Sequence, residues 1–162
     1  MPLVAAAVRA GVGGVGLVTD RGGRQAGVMD APVGELEGAG LSVLVLDEVI
    51  ADPPEDMVLA ATARARDFGA QLVSGFGGGS SLDTAKLVAL LLGSDQPLAD
   101  MYGVNKVRGQ RLPLILIPTT AGTGSEVTPI SVVTVGETSK MGVNDPALYG
   151  ERLLYTSDAA DE

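Results

Sequence analysis

A chain of 162 residues with 46% hydrophobic composition is long enough for one packed domain and too short for two of ordinary size. Its formal charge of -9 offers no attraction for nucleic acid or an anionic membrane, and its best apolar run, "LVALLL", falls far short of a membrane span. Zero cysteine removes disulfides and thiolate metal sites and fits a reducing, cytoplasmic setting, while zero histidine removes the commonest metal ligand and the commonest general base at neutral pH.

The opening "MPLVAAAVRA" has no basic start and is interrupted by Arg9, so it reads poorly as a secretion signal. "GVGGVG", Gly11 to Gly16, has the literal G-x-G-x-x-G spacing of a dinucleotide fingerprint. Such glycines work on the turn after a strand, where amides at the start of the next helix meet a pyrophosphate. Here the cluster precedes the strand "VGLVTD" instead of following one, and it reads as a flexible lead-in. A weak helical pattern runs from about Arg24 to Ala39, and "LSVLVLDEV" is a second strand. Pro53 and Pro54 open a helix through "EDMVLAATARARDF", with Met57, Val58, Ala61 and Ala65 at helical spacing and Gly69 at its end. "AQLVSGFG" is a third strand and "SLDTAKLVALLLG" an apolar helix closed by Gly93. "LPLILIPTT" is a fourth strand, apolar on both faces as expected inside a parallel sheet covered by helices. "ISVVTV" and "TSKMGV" flank Gly136 and Glu137 as a hairpin. Repeated strand, helix, strand units predict an α/β fold with a doubly wound parallel sheet and a β-hairpin after the last core strand.

"GFGGGSSLDTAK", Gly75 to Lys86, has the context that the first glycine cluster lacks, because it follows a strand and opens a helix starting near Ser81. Gly77, Gly78 and Gly79 have no Cβ to keep a phosphate away, and their backbone can take the positive φ of an anion-binding turn. Ser80 with Asp83 fits an S-x-x-D capping box. The same residues would also serve a tight turn with an aspartate cap and no ligand.

"GFGGGSSLDTAK" followed by "LPLILIPTTAGTGSEVTPISVVTVGETSK" resembles the iron-containing alcohol dehydrogenase family, which shares its fold with glycerol dehydrogenase and dehydroquinate synthase. The similarity runs from about Gly16 to Leu148, and "PTTAGTGSE" at Pro118 to Glu126 is its more distinctive motif. The resemblance implies a Rossmann-like NAD-binding N-terminal domain over residues 1–152. It places Asp20 near the adenine ribose, where a carboxylate repels a 2′-phosphate and favours NAD over NADP; a helix or turn cap is the other reading of Asp20. Gly77, Gly78, Gly79 and Ser80 match the pyrophosphate loop, with Asp83 beside them. Thr119, Thr120 and Thr123 match threonines that hydrogen-bond to the cofactor, or else steady their own loop through hydroxyl-to-backbone bonds. Lys140 in "GETSK" matches a lysine at the nicotinamide-side ribose, or is a solvated hairpin lysine.

Members of this family hold a catalytic divalent metal, usually iron and sometimes zinc, with one aspartate and three histidines of a helical C-terminal domain. Without histidine this chain is not expected to hold that metal, so iron or zinc belongs to a full-length parent only. The parent is expected to be a homo-oligomer acting on a small alcohol or aldehyde, and the chain alone to be inactive. The segment ahead of "GLVTD" is short of a strand or hairpin that the family normally carries, and "LLYTSDAADE", Leu153 to Glu162, resembles a translated sequencing-library adapter and is set aside as a non-native tail. Two functions stand open: the cofactor-binding portion of a metal-dependent, NAD-linked alcohol oxidoreductase, and a stand-alone nucleotide-binding module without catalysis.

Overall fold

The computed structural model of the chain describes residues 2–120 and 124–150. In chain order the elements are α1 (Pro2–Ala10), β1 (Gly14–Asp20), α2 (Arg21–Gln25), α3 (Asp30–Gly38), β2 (Ser42–Val49), α4 (Glu55–Phe68), β3 (Leu72–Gly77), α5 (Gly79–Gly93), β4 (Gly103–Val104), β5 (Leu114–Pro118), β6 (Ile130–Val135) and β7 (Ser139–Asn144). β2, β1, β3 and β5 pair in that order as a parallel sheet, with Val18 opposite Gly75 and Gly75 opposite Leu116. Because side chains alternate along a strand, each strand feeds two cores. Val15, Leu17, Leu72 and Phe76 pack with Leu3 of α1 and Leu36 of α3 on one face. Val18, Val73, Leu114 and Leu116 pack with Ala65 of α4 and with Leu82, Ala85 and Val88 of α5 on the other. Helices on both faces make the sheet doubly wound, and they are the reason its strands read as continuous apolar runs.

β6 and β7 form an antiparallel hairpin around Gly136, whose φ is +67°, and join β4 in a separate three-stranded sheet of order β4, β7, β6. This small sheet packs on the outer side of α5, where Val133 and Val143 meet Leu87, Leu90 and Leu91. Since α5 lies between two sheets it is apolar almost all round, as a fully enclosed helix must be. Gly75 allows the close approach on the inner side: a Cβ there would stand 2.8 Å from the Ala85 Cβ, 3.2 Å from Leu82 Cδ2 and 3.3 Å from Leu116 Cδ2.

Several sequence expectations need correction. "GVGGVG" is not a flexible lead-in, because Gly14, Val15 and Gly16 are buried within β1. A Cβ at Gly14 would sit 3.0 Å from the carbonyl oxygen of Gly69, so this glycine leaves room for the chain entering β3, whereas one at Gly16 would stand at ordinary contact distance, 3.6 Å, from the Ala70 Cβ. The segment ahead of them is helix α1, held by its buried Leu3 and Ala7 one helical turn apart. The single helix expected from Arg24 to Ala39 is two, broken at Gly27 with φ +78°. β5 is the outer strand of the parallel sheet among the described residues, although its side chains are covered on both faces.

Gly75→Ala should lower stability by about 1–3 kcal/mol through overpacking against α5. Ala85→Gly in the same chain should recover part of that loss, and denaturant unfolding of both variants would measure it. An additive double variant would mean that Gly75 does not set the helix-to-strand spacing.

Candidate functional site

The carboxyl ends of β1, β3 and β5 share one edge of the parallel sheet, and the sequence candidates follow directly from them: Asp20, then Gly77 to Ser80, then Thr119 and Thr120. Gly77 ends β3 with φ +134°, a conformation that glycine adopts at no steric cost, and a Cβ there would crowd Ser81 at 3.1–3.2 Å. Gly78 is the residue before α5, and no side chain among the described residues caps that helix. The first amide returned to the turn is that of Leu82, which donates to the Gly78 carbonyl at 3.1 Å. The amides of Gly79, Ser80 and Ser81 therefore open toward the loop at the positive end of a 15-residue helix. The Thr119 amide donates to the Gly77 carbonyl at 3.1 Å, and a Cβ at Gly78 would meet the Thr120 hydroxyl oxygen at 3.2 Å. Glycines and threonines separated by some forty positions in the chain thus form one backbone-lined turn, with room that a side chain at Gly78 would fill.

The S-x-x-D capping box does not form. α5 begins at Gly79, two residues before the expected start, so Ser80 lies inside the first turn and Asp83 lies beyond reach of the helix end. The Ser80 carbonyl accepts from Thr84 Oγ1 at 2.8 Å, and of the three glycines only Gly77 takes a positive φ. Asp83 faces the hairpin instead. Its carboxylate accepts from Lys86 Nζ at 3.3 Å and from the Val132 amide, and its carbonyl accepts from Ser131 Oγ at 2.8 Å.

Lys86, which closes the motif, is a further residue of this region that the sequence reading does not single out. Its side chain is wholly buried, and besides Asp83 it donates to Thr128 Oγ1 at 3.2 Å and to the Ile130 carbonyl at 2.9 Å. Burial pushes the Lys86 ammonium down from the ordinary lysine value and the Asp83 carboxyl up from the ordinary carboxylate value, and the attraction between them opposes both shifts. The signal was present: a D-x-x-K pair on an apolar helix puts a cation where it must be partnered.

Asp20 is the N-cap of α2, its Oδ1 accepting from the Gly23 amide at 2.6 Å. Lys140 is exposed on β7 and pairs with Asp52 at 2.7 Å, in the link between β2 and α4, rather than with the glycine turn. Thr123 lies outside the described residues, as does the run Leu153 to Glu162. The residues do not fit a catalytic iron or zinc: the chain has neither histidine nor cysteine, and no three carboxylates converge among the described residues. Among the described residues no helix is long and apolar enough to cross a membrane.

The family model for iron-containing alcohol dehydrogenases matches residues 3–155. The chain is 37% identical over 143 residues to the sulfoacetaldehyde reductase of Bilophila wadsworthia (strain 3_1_6), a match covering 88% of this chain and 37% of that protein. Its fold superposes on crystalline 1,3-propanediol oxidoreductase with a TM-score of 0.89 at 27% identity, covering 94% of this chain and 40% of the other. NADH-dependent butanol dehydrogenase A of Thermotoga maritima gives a TM-score of 0.83 at 28% identity, covering 94% and 39%. The chain thus spans 37–40% of the length of these proteins.

The buried pair should respond asymmetrically to truncation. Asp83→Ala leaves a fully buried ammonium without its carboxylate and should cost about 3–5 kcal/mol in denaturant unfolding. Lys86→Met should cost less, because the Asp83 side chain keeps 20% exposure and an amide partner. The double variant should be more stable than Asp83→Ala alone; the reverse order would show that the ammonium is not the costly partner.

Proposed function

We propose that this chain, which belongs to the iron-containing alcohol dehydrogenase family, is the NAD-binding portion of an oxidoreductase that moves a hydride between a small alcohol or aldehyde and its cofactor. The open first turn of α5 carries the reading, since uncapped amides at a helix start, beside a glycine with positive φ, suit a pyrophosphate. The NADH dependence named for the butanol dehydrogenase supports the choice of nicotinamide cofactor. NAD would supply the ring carbon that accepts or returns the hydride. The chain's own residues bind and orient. Gly77, Gly78, Gly79 and Ser80 would hold the pyrophosphate through backbone amides, and Thr119, Thr120 and Thr123 would hydrogen-bond to the cofactor. Asp83 acts from behind, fixing the hairpin against α5. Lys140 would exchange Asp52 for the nicotinamide-side ribose.

Asp20 has two duties in this reading. One carboxylate oxygen holds the Gly23 amide, and the second would take the adenine-side ribose hydroxyls, where its charge opposes a 2′-phosphate. Metal chemistry and substrate selection are assigned to the rest of a full-length cytoplasmic homo-oligomer, and turnover is not expected from these residues alone.

Two variants test the assignment. Gly78→Val places a branched side chain against Thr120 and should weaken NAD binding by about 1–3 kcal/mol in calorimetry, and unchanged affinity in a folded variant would reject the loop. Asp20→Ser keeps an N-cap oxygen while removing the charge, so it should narrow the preference for NAD over NADP with little loss of stability. A preference as strong as that of the parent would leave Asp20 as a cap and nothing more.

A further inference from the structure

The link between β2 and α4 is attached to the hairpin in two ways that differ in kind. It leaves β2 at Val49, the pairing partner of Asp20, so it starts on the carboxyl edge of the parallel sheet. Backbone bonds fix its path: the Thr134 amide donates to the Pro53 carbonyl at 3.0 Å, Pro54 bridges to Thr134 in the parallel sense, and Thr134 Oγ1 donates to the Asp52 carbonyl at 3.4 Å. The path is held again at the start of α4, where the Glu55 carboxylate accepts from the Tyr102 hydroxyl. Beside these bonds lies an ion pair, with Lys140 Nζ donating to Asp52 Oδ1 at 2.7 Å. Thr134 and Lys140 stand opposite each other across the hairpin, so both attachments meet at one rung.

The ion pair is separable from the rest. The side chains of Lys140 and Asp52 are 56% and 70% exposed, a setting in which a charge pair is weak and opens readily. The link keeps its place without the pair, because its backbone bonds involve neither charge. Yet the geometry that makes the pair is costly. Asp52 has φ +49°, a conformation that glycine takes freely and a side chain takes under strain. Strain held at a residue points to what its side chain does, and here it brings a carboxylate to Lys140.

We propose that Asp52 is an autoinhibitory latch on cofactor binding: it holds Lys140 when no cofactor is bound and must release it before the ammonium can turn to the nicotinamide-side ribose. The inference rests on the NAD reading above and adds to it a residue that lowers affinity by competing for the lysine. Only a ligand with a second ribose can compete with Asp52. ADP has the diphosphate and the adenine-side ribose but lacks that second ribose, and it leaves the pair closed.

Calorimetric titration of NAD and of ADP into the wild-type chain, D52N, K140M and the D52N/K140M double variant tests it. Asparagine accepts left-handed backbone, so D52N removes the charge and leaves the link in place. D52G takes the same conformation without strain and repeats the test should D52N lose its fold. D52N should bind NAD roughly two- to fivefold more tightly at low salt, and the advantage should shrink as salt screens the pair it removes. ADP affinity should be the same in D52N as in the wild type. K140M should weaken NAD, and D52N should add nothing in that background. A gain in affinity is a readout that damage to the fold would not produce. Unchanged or weaker NAD binding in D52N would overturn the latch. A matching gain for ADP, or a gain that persists alongside K140M, would overturn it too, since either means that Asp52 repels the diphosphate and does not compete for Lys140. Wild-type NAD affinity in K140M would overturn it as well. Absence of NAD binding by the wild-type chain would overturn the cofactor reading itself, and the latch with it.

Discussion

The approach of α5 to β3 at Gly75 governs much of this structure. With 2.8 Å between the Ala85 Cβ and the place where a Cβ of residue 75 would stand, the helix is seated against the strand with no side chain between them. That seating fixes the height of the α5 start above the carboxyl edge of the sheet, and hence the direction of its uncapped amides. It also leaves the outer side of the helix to be covered, which the β6–β7 hairpin does through Val133 and Val143. A helix buried on both sides can carry an ammonium only where every donor finds an acceptor, so the position of Lys86 and its three partners follows from the same packing.

Features that depend on period could be read from the sequence, and features that depend on approach could not. Apolar runs of strand length alternating with helical spacing were enough for the parallel sheet, for α4 with its left-handed Gly69, and for the hairpin around Gly136. The glycine turn was readable because three glycines between a strand and a helix have few other uses. By contrast, "GVGGVG" invited a loop assignment because glycine is rare in strands. The structure uses Gly14 there for clearance against the Gly69 carbonyl, a contact between segments far apart in the chain.

The capping box shows another limit. Ser80 and Asp83 have the right spacing, yet the helix takes up Gly79 as well, and the register of the motif moves with it. Once Ser80 is inside the first turn, no side chain among the described residues satisfies the leading amides. The unmet donors that make this end attractive to an anion are thus a consequence of a helix that starts two residues early. Asp20 is the converse case: it caps α2 at 2.6 Å, and this holds its carboxylate at the sheet edge. Capping and ligand contact are compatible for a carboxylate with two oxygens, whereas the sequence presented them as alternatives.

Buried polar networks also bear on cooperativity. Desolvating the Lys86 ammonium is offset only when acceptors from two separate parts of the chain are present at once: Asp83 on α5 itself, and Thr128 and Ile130 at the entry to β6. A helix docked on the parallel sheet without the hairpin would leave the cation short of partners, and a hairpin without the helix would leave the inward faces of Val133 and Val143 uncovered. Each piece therefore penalises the absence of the other, so α5 and the hairpin are energetically coupled. Since α5 begins at the glycine turn, the same packing that encloses the core also sets the place of the site's first half.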